Sequence, residues 1–378
     1  MGSVHIVGAG VAGFSLAHTL VQAGYAGNIT LSDPEGLPYD RPPLSKTLER
    51  VNLAPPAWFI EHSVQLQPQR IDQVQTPESE QDWLVLATGT TPRRPQVPGA
   101  EHARVIHTAK DAEDLSQKLS FGAFGTQVVV IGAGLIGAEF AAAARQFGAM
   151  VTLISNQQVP LVTAFGEPMA RQLHEDHRLN GIRVVTGMAE RITENSVEVN
   201  QESIEADIVV AAIGVEPNLT LADTLGLETH NGIIVDAGMR TSVPQVLAIG
   251  DVAREAGARP LRHWDRANED AALAAATIMG TGAPRRKVPW FWSDRHESHV
   301  EVVGDFTAVA RTVARHTRQG KIQVLFGLDG QDRLVAASMV DGGLMGRAVR
   351  KLIEQEITPP IIDLEDPGIT PRNLGRKR

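Results

Sequence analysis

Val4-His5-Ile6-Val7-Gly8-Ala9-Gly10-Val11-Ala12-Gly13 runs from a short apolar strand into G-x-G-x-x-G, and a helical pattern follows from Phe14 to Ala23. A strand before and a helix after raise this motif above coincidence and mark a dinucleotide site. The first glycine permits the tight turn, the second lets a pyrophosphate approach the backbone, and the third lets helix pack on strand. Free N–H groups at the helix start then face the phosphates, with the helix dipole adding attraction. A second strand, Ile29-Thr30-Leu31-Ser32, ends at Asp33, twenty residues past Gly13. A carboxylate there can take both hydroxyls of an adenosine ribose.

The pattern occurs twice. Val128-Val129-Val130-Ile131-Gly132-Ala133-Gly134-Leu135-Ile136-Gly137 repeats it at an offset of 124 residues. The next strand recurs as Val151-Thr152-Leu153-Ile154, with Ser155 standing where the first copy has Asp33. Downstream, Gly89 and Pro92 match Gly214 and Pro217 at an offset of 125. The chain therefore reads as two similar doubly wound units, each holding one dinucleotide.

Composition narrows the function. The 378 residues are enough for two to three domains, and 43% hydrophobic with 21% charged residues is ordinary for a globular protein. A net charge of −9 argues against a nucleic-acid role. No apolar run approaches the roughly 20 residues that span a bilayer, and the apolar start lacks the basic region of a signal peptide. No membrane role and a cytoplasmic location are expected. The absence of cysteine excludes disulfide exchange, thiol catalysis and a Cys-ligated iron–sulfur cluster on this chain.

Along the chain, Arg41-Pro42-Pro43-Leu44-Ser45-Lys46 places two cations on a stiffened segment soon after a nucleotide-binding strand. Trp58-Phe59-Ile60 ends a helical stretch, and Val64 to Val74 suggests a short strand pair. Strand Leu84–Ala87 ends at Thr88-Gly89, and residues 106–120 form an amphipathic helix. Strand Val246–Ile249 ends in Gly250-Asp251, which puts a carboxylate at a sheet edge facing a ligand crevice. His174-Glu175-Asp176-His177 is not H-E-x-x-H and reads as a solvated helix face, as do His296 and His299; no metal site is expected. After Pro289-Trp290-Phe291-Trp292-Ser293-Asp294, four alternating strands and a helix, Leu344–Gln355, indicate an α+β domain, and the Gly375–Arg378 tail is expected to be disordered.

Taken together, these stretches resemble the FAD-dependent ferredoxin reductases that serve Rieske-type ring-hydroxylating dioxygenases and bacterial haem monooxygenases, members of the pyridine nucleotide-disulfide oxidoreductase superfamily that lack the redox disulfide. The resemblance covers nearly the whole chain and is most specific at Leu37–Lys46, Leu86–Gly89, Ile249–Ala253, His263-Trp264 and Trp290–Asp294. It implies an α/β fold: two doubly wound dinucleotide-binding domains, for FAD and NAD(P), plus a C-terminal α+β interface domain. The FAD domain is drawn at 1–105 and 229–286, the NAD(P) domain at 106–228 and the last domain at 287–378. By resemblance, Gly8, Gly10, Ala12 and Gly13 cradle the FAD pyrophosphate and Asp33 takes its ribose. Arg41, Thr88 and Gly89 line the cofactor, Asp251 binds the ribityl chain, Trp264 begins a helix aimed at the pyrimidine edge, and Trp292 approaches the isoalloxazine. Lys46 lies beside the flavin, paired with Glu139; these two are the catalytic candidates. Gly132, Gly134, Ile136 and Gly137 hold the nicotinamide dinucleotide, with Ser155 near its ribose and Gly214 and Glu216 near its reactive end.

Two departures bear on the cofactors. The family usually has an acid at Ser155, and no Arg or Lys follows before Arg171 to attract a 2′-phosphate; on family grounds NADH is favoured weakly over NADPH. His107 stands where the family often places an Arg beside FAD. The implied partner is an iron–sulfur ferredoxin, Rieske-type or plant/adrenodoxin-type 2Fe–2S, received by a basic face of Arg285, Arg286, Lys287, Arg295, Arg311, Arg315 and Arg318; the chain is expected to be a monomer or homodimer. The alternatives are an NAD(P)H oxidase or quinone reductase, and a non-enzymatic flavoprotein like apoptosis-inducing factor.

Overall fold

The computed structural model describes residues 2–121 and 125–375; residues 376–378 of the basic tail lie outside them. The chain divides into two compact units. The first comprises 1–43, 49–92 and 215–286; the second comprises 44–48, 93–214 and 287–378.

In the first unit, five parallel strands lie in the order Val246–Ala248, Trp83–Leu86, Val4–Val7, Ile29–Ser32, Val64–Gln67. Val246–Ala248 and Trp83–Leu86 are wholly apolar and Val4–Val7 nearly so, as strands covered on both faces are, whereas Ile29–Ser32 and the edge strand Val64–Gln67 alternate with polar residues. Helix Val11–Gln22 follows the first strand, and helix Trp264–Met279 packs beside it. One strand, not a pair, forms between Val64 and Val74; beyond Gln67 the sequence has too many polar residues and prolines to continue the ladder.

The second unit repeats the plan. Its parallel sheet runs Ile208–Ala211, Gln127–Ile131, Met150–Ser155, Arg183–Thr186. The correspondence extends to single hydrogen bonds. Gly8 N–H donates to the Ser32 carbonyl and Gly132 N–H to the Ile154 carbonyl, both at 2.8 Å. The residues that follow, Asp33 and Ser155, are therefore structurally equivalent, as their sequence positions suggest.

The C-terminal part of this unit is a five-stranded antiparallel sheet ordered Trp290–Arg295, Ser298–Gly304, Leu334–Val340, Ile322–Leu328, Arg311–His316. Trp290–Arg295 is itself an edge strand, so the sheet has one strand more than the four read from sequence. Helix Met345–Glu354 covers one face through Met345, Val349 and Leu352. On the other face, Val300, Val302 and Leu325 pack against Phe165, Met169 and Leu173. Both faces are therefore buried, and that decides the fate of several charged residues below.

Candidate functional site

Each fingerprint forms the same cradle. Gly8 adopts φ +109° and Gly132 φ +105°, and a Cβ on either would lie 2.2 or 2.4 Å from the carbonyl of Ala87 or Ala212. At Gly13 and Gly137 a Cβ would fall 2.0 and 1.9 Å from the carbonyls of Gly8 and Gly132, so only glycine lets the helix pack this close. The central glycines differ from these. Gly10 and Gly134 have ordinary φ of −67° and −69°, and a Cβ there would meet nothing within 4 Å. Backbone geometry does not require glycine at these two positions; what the structure shows there is open space in front of the helix start. Neither helix start has a side-chain cap, which leaves its N–H groups for a phosphate.

Around the first cradle, Asp33 accepts from Ala9 N–H at 2.7 Å and Glu35 N–H at 2.8 Å, which fixes its carboxylate at the mouth of the turn. A small cavity there is lined by Gly10, Asp33, Glu35, Pro38 and Arg41. Arg41 lies 3.5 Å from Glu35 and 5.5 Å from the Tyr39 ring centroid. Ala12 is buried because Gly250 comes close; a Cβ on Gly250 would stand 2.7 Å from that of Ala12. Ala12 thus serves packing with its methyl, whereas the equivalent Ile136 is 40% exposed.

Asp251 sits in the short turn Gly250–Val252. Burial pushes its carboxyl up to about 6, opposed by Arg262 and Arg41 and reinforced by Asp270. Asp270 was not singled out in the sequence. Buried in an alanine-rich helix, it accepts from Gly250 N–H at 3.1 Å and pairs with Arg266 at 3.0 Å and Arg286 at 2.8 Å, so it anchors the turn that carries Asp251. A charged residue at a core position of that helix was the available signal. Asn218 was also missed; its side-chain amide donates to the Thr88 carbonyl at 2.7 Å and its backbone N–H to that of Gly89 at 3.0 Å, bracing this turn. Trp264 opens helix Trp264–Met279, but its indole N–H is committed to Asp40 at 2.8 Å.

The raised Asp251 carboxyl predicts a pH effect. Because folding holds this proton more tightly than the unfolded chain does, its ionisation costs stability as pH rises through about 4 to 6. In cofactor-free protein, Asp251→Asn should therefore be the more stable form above pH 6, by up to about 3 kcal/mol, with the gap closing toward pH 4. Denaturant titrations at pH 4.5 and pH 8 measure this; an equal gap at both would show that Asp251 is not a burdened ionised group.

In the second unit, helix Leu135–Gln146 carries Glu139 into a buried position. Its Oε1 accepts from Lys46 Nζ at 2.5 Å and from Ser293 Oγ at 2.7 Å; its Oε2 accepts from Ser45 Oγ at 2.5 Å. The expected Lys46–Glu139 pair is present. Asp294 lies 3.4 Å from the same ammonium, and the Trp292 ring lies 6.0 Å away and is stacked on Trp290. Ser155 is 3% exposed, and its hydroxyl is spent locally: it donates to the Gln157 carbonyl and accepts from the Gln157 N–H. Gly214 adopts φ +100° with open space around it. Glu216 belongs to the first unit, exposed on a strand that pairs Val215–Pro217 with Thr90–Pro92.

The family profile described as pyridine nucleotide-disulphide oxidoreductase matches residues 2–271. The chain belongs to that family. A second profile, reductase C-terminal, matches residues 290–374. The chain is similar to rhodocoxin reductase of Rhodococcus erythropolis, 36% identical over 94% of this chain and 91% of that protein. It is also similar to the ferredoxin–NAD(+) reductase component of the anthranilate 1,2-dioxygenase system of Burkholderia cepacia, 32% identical over 96% and 97%. Among solved structures it matches the putidaredoxin reductase–putidaredoxin complex with TM-score 0.89 and 28% identity, over 98% of this chain and 97% of that one. The disulphide of the family's description has no counterpart in this member, which contains no cysteine. The α/β fold with two dinucleotide cradles and a C-terminal α+β region is the one expected.

Two expectations are corrected. His174 and His177 are not on a solvated face; they are 4% and 1% exposed, because their helix packs on the C-terminal sheet. His177 shares a 2.8 Å hydrogen bond with His296. Burial, then Arg295, lowers both of these histidines, His296 to about 4, so they are neutral at physiological pH. Among the described residues no cluster fit to hold a metal occurs. His299, as expected, is solvent-facing. The basic face also loses members. Arg315 is buried and donates to the carbonyls of Asp363, Leu364 and Ile369, clamping the C-terminal segment. Arg295 is buried as well, and Arg286 is committed to Glu255 and Asp270. Among the described residues no helix is long and apolar enough to cross a membrane.

Proposed function

We propose that this chain is an NAD(P)H-dependent ferredoxin reductase whose iron–sulfur partner supplies an oxygenase. The observation that carries this reading is the doubled cradle, each copy keeping open space at its central glycine, in a chain with relatives named as ferredoxin reductases. When bound, FAD would supply the chemistry that links a two-electron hydride donor to a one-electron iron–sulfur acceptor. Gly8, Gly10 and Gly13 admit the FAD pyrophosphate, Asp33 its adenosine ribose and Asp251 its ribityl hydroxyls. Arg41, Thr88-Gly89 and the start of the Trp264 helix complete the lining. Gly132, Gly134 and Gly137 admit the second dinucleotide, with Gly214 and Glu216 toward its reactive end. Lys46, held by Glu139, would supply a positive charge able to stabilise negative charge on the flavin. Trp292, whose ring lies 6.0 Å from the Lys46 ammonium, would approach the isoalloxazine. The partner is an iron–sulfur ferredoxin, Rieske-type or plant/adrenodoxin-type 2Fe–2S, and the site of action is the cytoplasm.

NADH is the favoured coenzyme. The Ser155 hydroxyl is occupied by Gln157, the residues 156–158 that follow are neutral, and Arg171 is paired with Glu167 at 2.6 Å. A 2′-phosphate would meet no cation on this loop. Anaerobic titration, following flavin absorbance, should show bleaching by stoichiometric NADH, and kcat/KM for NADH should exceed that for NADPH by about tenfold or more, a difference of about 1.4 kcal/mol. Asn156→Arg should narrow the ratio. A preference for NADPH would reverse the coenzyme assignment and leave the enzyme class intact; flavin that neither coenzyme reduces would end the reductase reading. Ferredoxin-dependent cytochrome c reduction should be fast, and rapid turnover with oxygen alone would instead indicate an oxidase.

A further inference from the structure

We propose that Arg295 is a positioning residue for the Lys46–Glu139 pair, acting through the hydroxyl of Ser293. Ser293 is wholly buried. Its Oγ donates to Glu139 Oε1 at 2.7 Å and accepts from Arg295 Nη2 at 3.0 Å. A hydroxyl has one proton. With the guanidinium occupying an acceptor site on the Ser293 oxygen, that proton is directed at Glu139. The carboxylate is then gripped by donors from two stretches of chain outside its own helix: Ser45 and Lys46, and the edge strand Trp290–Arg295. That grip sets where Lys46 Nζ stands.

The charge of Arg295 is the second part. The side chain is buried, lies 5.4 Å from the Phe165 ring centroid, and has no direct ion pair among the described residues. Its Nε has no hydrogen-bond partner there. Burial pulls its guanidinium down to about 10, with Glu139 the strongest opposing influence. A buried cation so poorly compensated is costly, and a neutral side chain would serve packing better. What the cation adds is a positive potential behind Glu139. Lys46 and Arg295 share one buried carboxylate, so Glu139 does not cancel the Lys46 charge outright. The inference rests on the flavoprotein reading above, since the potential matters only if a redox group lies beside Lys46.

The test uses FAD-loaded, full-length protein and the variants Arg295→Gln, Arg295→Lys, Ser293→Ala and Arg295→Gln/Ser293→Ala. Spectroelectrochemistry, which needs no NADH, should show a lower flavin midpoint potential in Arg295→Gln, because a nearby positive charge has gone. Flavin reduction by NADH should slow about tenfold, a change of about 1.4 kcal/mol. Arg295→Lys should recover most of both. Ser293→Ala should slow reduction comparably while leaving the potential nearer the parent, and the double variant should be no slower than Arg295→Gln alone. Parental potential and rate in Arg295→Gln would overturn the proposal, as would strictly additive rate losses. If Arg295→Gln does not fold, Ser293→Ala decides, and a parental rate in it overturns the relay. Parent protein that binds flavin but is not reduced by NADH would refute the reductase reading; the potentials would still report on Arg295.

Discussion

Gly134→Val should leave FAD bound and yet abolish its reduction by NADH, with an apparent affinity loss of at least about 100-fold, or about 3 kcal/mol. The backbone at Gly134 has φ −69°, and a Cβ placed there would have no neighbour within 4 Å, so valine is accommodated without strain in the coenzyme-free chain. The side chain then occupies the space through which a pyrophosphate reaches the helix N–H groups. Gly10→Val is the mirror experiment: the same substitution in the first cradle should yield protein that folds without retaining flavin. Stopped-flow reduction and flavin stoichiometry read the two outcomes separately. If Gly134→Val is reduced at the parental rate, the second cradle is a structural copy and the coenzyme enters elsewhere. Gly13→Ala and Gly137→Ala differ in kind. Their Cβ atoms would collide with carbonyl oxygens at 2.0 and 1.9 Å, so they probe folding, not access.

Lys46→Met should slow flavin reduction by about 100-fold with FAD still bound, the usual scale for removing one charge aimed at a developing negative centre. It should also destabilise the protein by about 3 kcal/mol or more, because Glu139 would stay buried with only the Ser45 and Ser293 hydroxyls for donors. Lys46→Met/Glu139→Gln separates the two effects: part of the stability should return, since the unpaired carboxylate is gone although the buried Arg295 cation loses its strongest compensating charge, while the rate should not. Thermal melts and single-turnover reduction measure these independently. A double variant that regains the rate would show that Lys46 only neutralises Glu139.

The two cradles were legible because what they demand is local. A positive φ at Gly8 and Gly132 and the close approach at Gly13 and Gly137 are met only by glycine, so the residue type records the geometry. The strands that lead into them announce themselves by mostly apolar runs, as strands buried on both faces do. Arg295 and His177 were misjudged for the opposite reason. Arg295 occupies a pleated edge strand and His177 a helix rich in charge, and each pattern is compatible with solvent. Only the packing of helix Glu167–Leu179 on the second face of the C-terminal sheet removes them from water. Arg315 was misassigned similarly: its carbonyl partners lie about 50 residues downstream, beyond the reach of any local pattern.

The sequence by itself determined that this chain builds two dinucleotide cradles and that its electron transfer cannot pass through a thiol, because glycine's freedom and cysteine's absence are properties of residues. The tertiary structure alone decided the cluster that Ser45, Ser293 and Arg295 build around the Lys46–Glu139 pair. Its members lie up to 250 residues apart, and a buried charge network exists only where packing has excluded water and brought each donor within reach of one carboxylate.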